Sequence, residues 1–592
     1  MYFNHVVERL SGRPAGRSGE AAAITCDTDG GEGSGDSSSL SYAELDLAAR
    51  AVAVWLSEHC APGERVLLLS PLGVELVKNV LGCLYAGVVP VVAPVPDGRD
   101  PHLSRATGIA FDAEARVVLT EASCLSAVHD WLSQDGMGEL TCVATDAVPL
   151  GDPADWVEPR RDPGELALLS YGSGEGELVG TAISAAALGH GLRRTADALG
   201  LTEEDRVLSW LPPDQYSGLM AVLTALSVGA TTVLLSPDRF RRDPLRWLEL
   251  VHRHRITVSG GGPGAYGRCA DAAAERGVTG LDLSSWRVAY TSTAMLDPAT
   301  LTRFARVLAP AGFDQSALRV SYCLPEAGFL VSTTDPRPLL RTARVSAVAL
   351  EKRTFAASTS AEGPVLVSSG RVARLDLRVV DPESGRPLPD RRVGEVWVRG
   401  DGLASGYWRR GGGTDLRFGA TLDTGEGGFF RTGDIGVLDA GELFVLGRAD
   451  SMLTVAGRTI RAHDVERELA ERFPALAGHP ASVFTVAVPR HEVVVVQELD
   501  RVDRDELRLL AGAVRSWLRR RTRVRFGSVV FLQPGQLPAV GGERDRRELV
   551  RALFAARAVH PVYEELDGDV RRLYREPTGH GVEVVTGDRV AV

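Results

Sequence analysis

Lysine is almost missing from this chain of 592 residues: only Lys78 and Lys352 occur among 66 basic side chains. A coding bias toward arginine explains lysine lost where only positive charge matters. It does not explain the loss of a lysine that does chemistry, because a compact ammonium and a planar guanidinium are not interchangeable. Cysteine is sparse as well. The seven residues at 26, 60, 83, 124, 142, 269 and 323 form no CxxC pair and are odd in number. Neither a zinc site nor a disulfide framework is expected, and a reducing cytoplasm fits. A basic surplus is lacking too: the net charge is −11. That excludes bulk binding to nucleic acid or anionic membranes, so neither is expected as a partner. No uninterrupted apolar run reaches membrane length. The apolar uncharged stretch 79–96 holds Pro90, Pro94 and Pro96 and reads as helix, turn and strand. The first residues, Met1–Pro14, carry no apolar core of signal-peptide length.

The composition that remains, 44% apolar and 24% charged, is that of a globular protein. The length exceeds what one hydrophobic core supports, so two or more domains are expected. Short β-branched runs alternate with amphipathic stretches over the first 450 or so residues. Arg65–Ser70, Val88–Ala93, Val117–Thr120, Leu166–Tyr171, Arg206–Leu211 and Thr231–Leu235 read as strands; Val74–Ala86, Ser184–Leu199 and Leu219–Ser227 read as helices. That alternation predicts an α/β fold with mainly parallel sheets covered on both faces. Past residue 447 the texture changes. Strands at Leu453–Val455 and Val483–Val488 mix with Arg-rich helices at Asp464–Arg472 and Arg504–Arg520. The expected organisation is a large multi-subdomain domain over 1–447, a small α+β domain on a hinge over 448–555, and a tail over 556–592.

Several collinear stretches carry a resemblance. They are Leu40–Leu56, Leu81–Asp97, Arg206–Pro213, Pro244–Gly262, Leu281–Ala289, Val379–Trp408 and Phe429–Arg458. Together they resemble the fatty acyl-AMP ligases of the adenylate-forming superfamily across roughly residues 1–555. The segment 333–364 resembles the insertion that sets those ligases apart from acyl-CoA ligases, which implies a carrier-protein thiol as acceptor instead of CoA. The family reaction has two halves. A fatty acid and ATP give acyl-AMP and pyrophosphate; the acyl group then passes to a phosphopantetheine thiol. The first half builds negative charge on phosphates and needs cations there.

The motifs divide into kept and altered. The family's phosphate loop ends in a lysine; here it runs Tyr171-Gly172-Ser173-Gly174-Glu175-Gly176-Glu177-Leu178-Val179-Gly180. Ser173, Gly174 and Gly180 match, but no cation lies between Tyr171 and Ser184. Glu175 and Glu177 put two carboxylates where a triphosphate would rest, and like charges repel. The alternative is a harmless solvated loop. The family's C-terminal catalytic lysine corresponds to Arg544. Losing one preorganised charge donor typically removes ~3–4 kcal/mol of transition-state stabilisation. The family's His-Asp pair beside the acyl and phosphate sites corresponds to Gln215 and Tyr216, and the adenine-side strand end to Ser292-Thr293-Ala294. On the kept side, Tyr322 opens a motif whose Glu326 binds magnesium in the family. Asp434 and Arg448 match the ribose contacts, with Arg448 at the hinge, and a purely structural inter-domain pair is their alternative. Cys323 replaces a family glycine at the nucleotide pocket. It is either a repurposed nucleophile or a small thiol filling space.

The resemblance implies a fatty acyl-AMP ligase-like enzyme of natural-product (polyketide) biosynthesis that has lost ATP-dependent adenylation. It would act without ATP on an acyl or carrier-tethered intermediate, with an acyl carrier protein as partner. AMP or an acyl-adenylate is the implied ligand; magnesium keeps one weak anchor, Glu326. An active but divergent ligase and a non-catalytic scaffold remain the competing expectations.

Overall fold

The computed structural model describes residues 21–27, 39–96, 105–133, 137–172, 178–292, 296–337, 339–358, 364–409, 417–449, 452–455, 458–486, 492–500, 503–522, 527–537 and 543–574. Its chain divides into two compact units, with the change at Leu446–Gly447. Gly447 adopts φ 136°, a conformation that favours glycine.

A nine-stranded sheet forms the centre of the first unit. Its order is Arg371–Val372, Phe329–Thr333, Leu318–Leu324, Val288–Ser292, Val258–Gly260, Arg206–Ser209, Thr231–Leu234, Ala22–Cys26, Ser39–Ser41. The six strands from Leu318–Leu324 to Ala22–Cys26 are parallel. The outer strands on either side pair antiparallel. A second sheet of four parallel strands runs Val89–Val92, Arg65–Leu69, Val117–Thr120, Thr141–Ala144. The expected α/β architecture is therefore observed, and the alternation of apolar runs is its cause: strands covered on both faces need apolar residues at nearly every position. One face of the larger sheet packs on an aromatic nest of Trp247, Tyr266, Trp286 and Phe304, with ring centroids 4.8–6.5 Å apart. The other face is covered by helices that include Ala185–Leu199, capped by Ser184, and Tyr216–Val228.

A four-stranded sheet, Asp376–Val380, Gly394–Arg399, Phe430–Asp439, Glu442–Arg448, completes the first unit. The segment resembling the ligase insertion holds the strand Thr342–Arg344, which pairs with Val365–Val367. It also holds a helical turn, Ala347–Glu351. Its Val345 and Phe355 join Val393, Val437, Phe444 and Leu446 in one apolar cluster.

The second unit carries a hairpin, Met452–Val455 with Arg458–Arg461, and a sheet ordered Ala481–Val486, Glu492–Glu498, Gly527–Leu532, Tyr563–Glu565. The helix Arg504–Thr522 bridges the parallel pair Glu492–Glu498 and Gly527–Leu532. That connection needs a crossover, which a helix supplies.

One expectation needs correction: the tail does not begin at 556. Tyr563–Glu565 is an edge strand of the small sheet, and Val559, Leu566 and Val570 are buried in its core. Apolar side chains there cover the sheet face that Phe554 and Val550 only partly close. Lys78 is 7% exposed. Its helix, Val74–Ala86, is buried along nearly its whole length. The ammonium pairs with Glu75 and donates to the Thr145 carbonyl at 3.3 Å. Lys352 is exposed. No helix among the described residues is long and apolar enough to cross a membrane.

Candidate active site

Asp434 sits in an irregular stretch of the strand Phe430–Asp439 that its surroundings over-determine. Glu395, on the neighbouring strand, is 5% exposed. It accepts from Arg431 Nη2 at 2.9 Å, the Gly433 amide at 3.1 Å and Trp397 Nε1 at 2.9 Å. Thr432 donates to the Val396 carbonyl at 2.7 Å and accepts from the Asp434 amide at 3.0 Å. A register shift between Glu395 and Trp397 makes room for this arrangement. Asp434 is itself 5% exposed, and the Tyr322 hydroxyl donates to its Oδ2. A carboxylate fixed in this way is preorganised to meet the paired hydroxyls of a ribose.

Tyr322 belongs to the strand Leu318–Leu324, and a 3-10 turn, Pro325–Ala327, follows it and carries Glu326. The Tyr407 hydroxyl donates to Glu326 Oε1 at 2.8 Å, and the Ala404 amide donates to the Glu326 carbonyl at 2.8 Å. Behind the turn lies Arg194, 5% exposed. Its guanidinium donates to the carbonyls of Leu330 at 2.8 Å, Asp401 at 2.9 Å and Ala327. Burial pulls Arg194 below its ordinary value; nearby Tyr216, Cys323 and Asp401 oppose that. The helix bearing Arg194 approaches so closely that a Cβ on Gly191 would lie 2.1 Å from the Gly328 carbonyl oxygen. Phe329, a non-glycine residue, is held at φ 98°. Strain of this kind persists only where neighbours enforce it.

Cys323 is half-buried at a register irregularity next to Tyr322. Ser292 ends the strand Val288–Ser292 opposite Ser321. Gln215 precedes the helix Tyr216–Val228 without a side-chain capping bond. Tyr216 is 6% exposed, and burial raises its phenol well above its ordinary value. Gly180 closes the phosphate loop by pairing with Tyr171, and a Cβ there would press on that tyrosine's ring. Thr293 and the loop residues Ser173, Gly174, Glu175, Gly176 and Glu177 lie outside the described residues, as does the side chain of Arg544. Arg448 ends the strand Glu442–Arg448 and is half-buried.

The sequence reading missed Glu395, Arg194, Tyr407 and Tyr290. Glu395 and Tyr407 stand inside the quoted stretch Val379–Trp408, so their positions were in view; their partners were not. No cluster of three His, Cys, Asp or Glu side chains suited to a metal occurs among the described residues. Glu326 alone fits a magnesium ion that keeps its waters and leans on substrate phosphates.

Residues 13–408 match the family model described as AMP-binding enzyme. The chain belongs to the adenylate-forming enzymes, in their fatty acyl-AMP ligase branch. It is 33% identical over 531 residues to the medium-chain-fatty-acid–[acyl-carrier-protein] ligase JamA of Moorena producens, covering 87% of this chain and 90% of that one. The 4-hydroxyphenylalkanoate adenylyltransferase of Mycobacterium tuberculosis is 30% identical over 560 residues, covering 90% and 88%. The solved fatty acid AMP ligase of Legionella pneumophila superposes with a TM-score of 0.71 at 25% identity, covering 95% and 97%. A structure from the fatty acyl-adenylate ligases of E. coli and L. pneumophila reaches 0.81 at 25% identity, covering 94% and 100%.

Proposed function

We propose that the protein transfers an acyl group from an acyl-adenylate to the phosphopantetheine thiol of an acyl carrier protein, and that its ATP-dependent first step has been lost. The carrying observation is an asymmetry. The strand around Asp434 retains a bonded framework suited to ribose, whereas the stretch 172–183 has no cation and carries Glu175 and Glu177. The acyl group lies beside Glu326 in this reading, with Tyr216 on the acyl side. The thiol sulfur attacks the acyl carbon. A C–S bond forms, the C–O bond to the AMP phosphate breaks, and the thiol proton leaves to solvent. ATP is not consumed; a separate adenylating enzyme supplies the acyl-adenylate. Glu326 would hold magnesium only in company with phosphate oxygens. The carrier-protein acceptor is supported by the likeness to JamA, whose name states such a ligase activity.

A second reading, a divergent but active ligase, is favoured by that same likeness. ATP–pyrophosphate exchange with octanoate and magnesium separates the two. The expected result is no exchange above background, together with thioester formation from synthetic octanoyl-adenylate and a holo carrier protein. Robust exchange establishes the active ligase instead. Failure of both reactions leaves a non-catalytic scaffold.

A further inference from the structure

Three hydroxyls on the helix-covered side of the large sheet are enclosed without a partner among the described residues. Val207, Val258 and Val288 stand in register on adjacent parallel strands and pack against Ala225 of the helix Tyr216–Val228. Side chains alternate across a strand, so Ser209, Gly260 and Tyr290, each two residues further on, share that face at the carboxyl ends of the strands. The Ser209 and Tyr290 hydroxyls are buried and unbonded, and so is that of Tyr216, the first residue of the covering helix. Gly260 leaves room for the Tyr290 ring: a Cβ there would lie 2.4 Å from Tyr290 Cδ2. Carboxyl ends of parallel strands are where open α/β sheets take their ligands.

The charges around the two phenols place them at the site already described. Arg194 favours ionisation of Tyr216 and Glu326 opposes it, while Cys323 opposes that of Tyr290; burial dominates in both. A phenol can donate and accept a hydrogen bond. An unsubstituted alkyl chain offers it neither, and a buried hydroxyl left unpaired is costly. A pocket for a plain fatty acid has no use for such groups.

We propose that Tyr216 and Tyr290 form a polar subsite of the acyl pocket, which takes an acyl group bearing a hydroxyl or oxo group near its carbonyl end. The inference rests on the reading that the acyl group of an acyl-adenylate binds beside Glu326. Isothermal titration of the full chain with the acyl-sulfamoyl-adenosine mimics of octanoyl-, α-hydroxyoctanoyl- and β-hydroxyoctanoyl-adenylate tests it, with AMP titrated in parallel. At least one hydroxyacyl mimic is expected to bind about tenfold more tightly than the octanoyl mimic. Tyr216→Phe and Tyr290→Phe should each bring that ratio toward unity. Both variants should melt no lower than the parent, because each removes an unpaired buried hydroxyl and little volume. Equal binding of all three mimics, tighter than AMP, overturns the polar subsite and leaves the acyl site standing. A preference that survives both substitutions also overturns it. Mimics that bind no more tightly than AMP overturn the acyl-site reading itself.

Discussion

Two neighbourhoods on one edge of the large unit are built on opposite principles. Around Asp434 the polar groups are paired: Glu395 accepts four hydrogen bonds, Thr432 donates and accepts, and Tyr322 closes on the carboxylate. Around Ser209, Tyr216 and Tyr290 the hydroxyls are enclosed and unpaired among the described residues. A paired network is rigid before any ligand arrives and suits a fragment of constant shape, such as a nucleoside. An unpaired layer sacrifices stability and is completed by what binds. On the proposed function, nucleotide recognition and acyl recognition fall under different physical regimes.

The sharpest way to break this contrast is to open the paired side. Glu395→Ala leaves Arg431, the Trp397 indole and the Gly433 amide without their shared acceptor. It should cost about 3–5 kcal/mol by denaturant unfolding. A loss below about 1 kcal/mol would show that the strand around Asp434 is held by other means. Asp434→Ala removes the carboxylate proposed to meet the ribose and keeps Glu395. AMP affinity should fall by about 1.5–3 kcal/mol, or roughly ten- to a hundredfold, by calorimetry. Stability should change less than in the Glu395 variant.

Lys78 extends the paired class to a distant site. Lys78→Arg asks a planar guanidinium to fill an ammonium's space between Glu75 and Thr145. It should cost about 1–3 kcal/mol, whereas Lys352→Arg on the surface should stay within about 0.5 kcal/mol. Equal effects would return both lysines to coding bias alone.

The second unit holds an unpaired acid. Glu492 is 7% exposed, its Oε2 has no partner among the described residues, and burial with Asp567 and Asp569 nearby pushes it up to about 7. The unfolded carboxyl ionises near 4.5. Between those values the folded state holds more protons than the unfolded one, so stability should fall as pH rises from about 4.5 to about 7 and then level. Glu492→Gln should remove this slope and gain on the order of 1 kcal/mol at pH 8, read from melting curves across pH. An unchanged slope would show that another group carries the titration.

Much of this protein was legible in one dimension. The runs at Val117–Thr120, Leu166–Tyr171 and Val74–Ala86 became a strand, a strand and a helix at those bounds, because buried strands and an almost wholly buried helix both write themselves as local apolar pattern. Asp434, Glu326 and Tyr322 were legible through collinear motifs. Local pattern could not show what holds them. Tyr407 meets Glu326 across 81 residues of chain, Arg194 meets the Ala327 carbonyl across 133, and Tyr322 meets Asp434 across 112. Nor could it show that Lys78 is buried or that Val559–Val570 belongs to a core, since a polar or charged residue in a string carries no record of what packs over it. The sequence by itself determined the order and type of elements and the absence of cations from the phosphate loop, because both are properties of neighbours in the chain. Which polar groups are paired and which are left open was decided only by the tertiary structure, because a hydrogen bond needs two partners within about 3 Å and folding alone brings distant ones there.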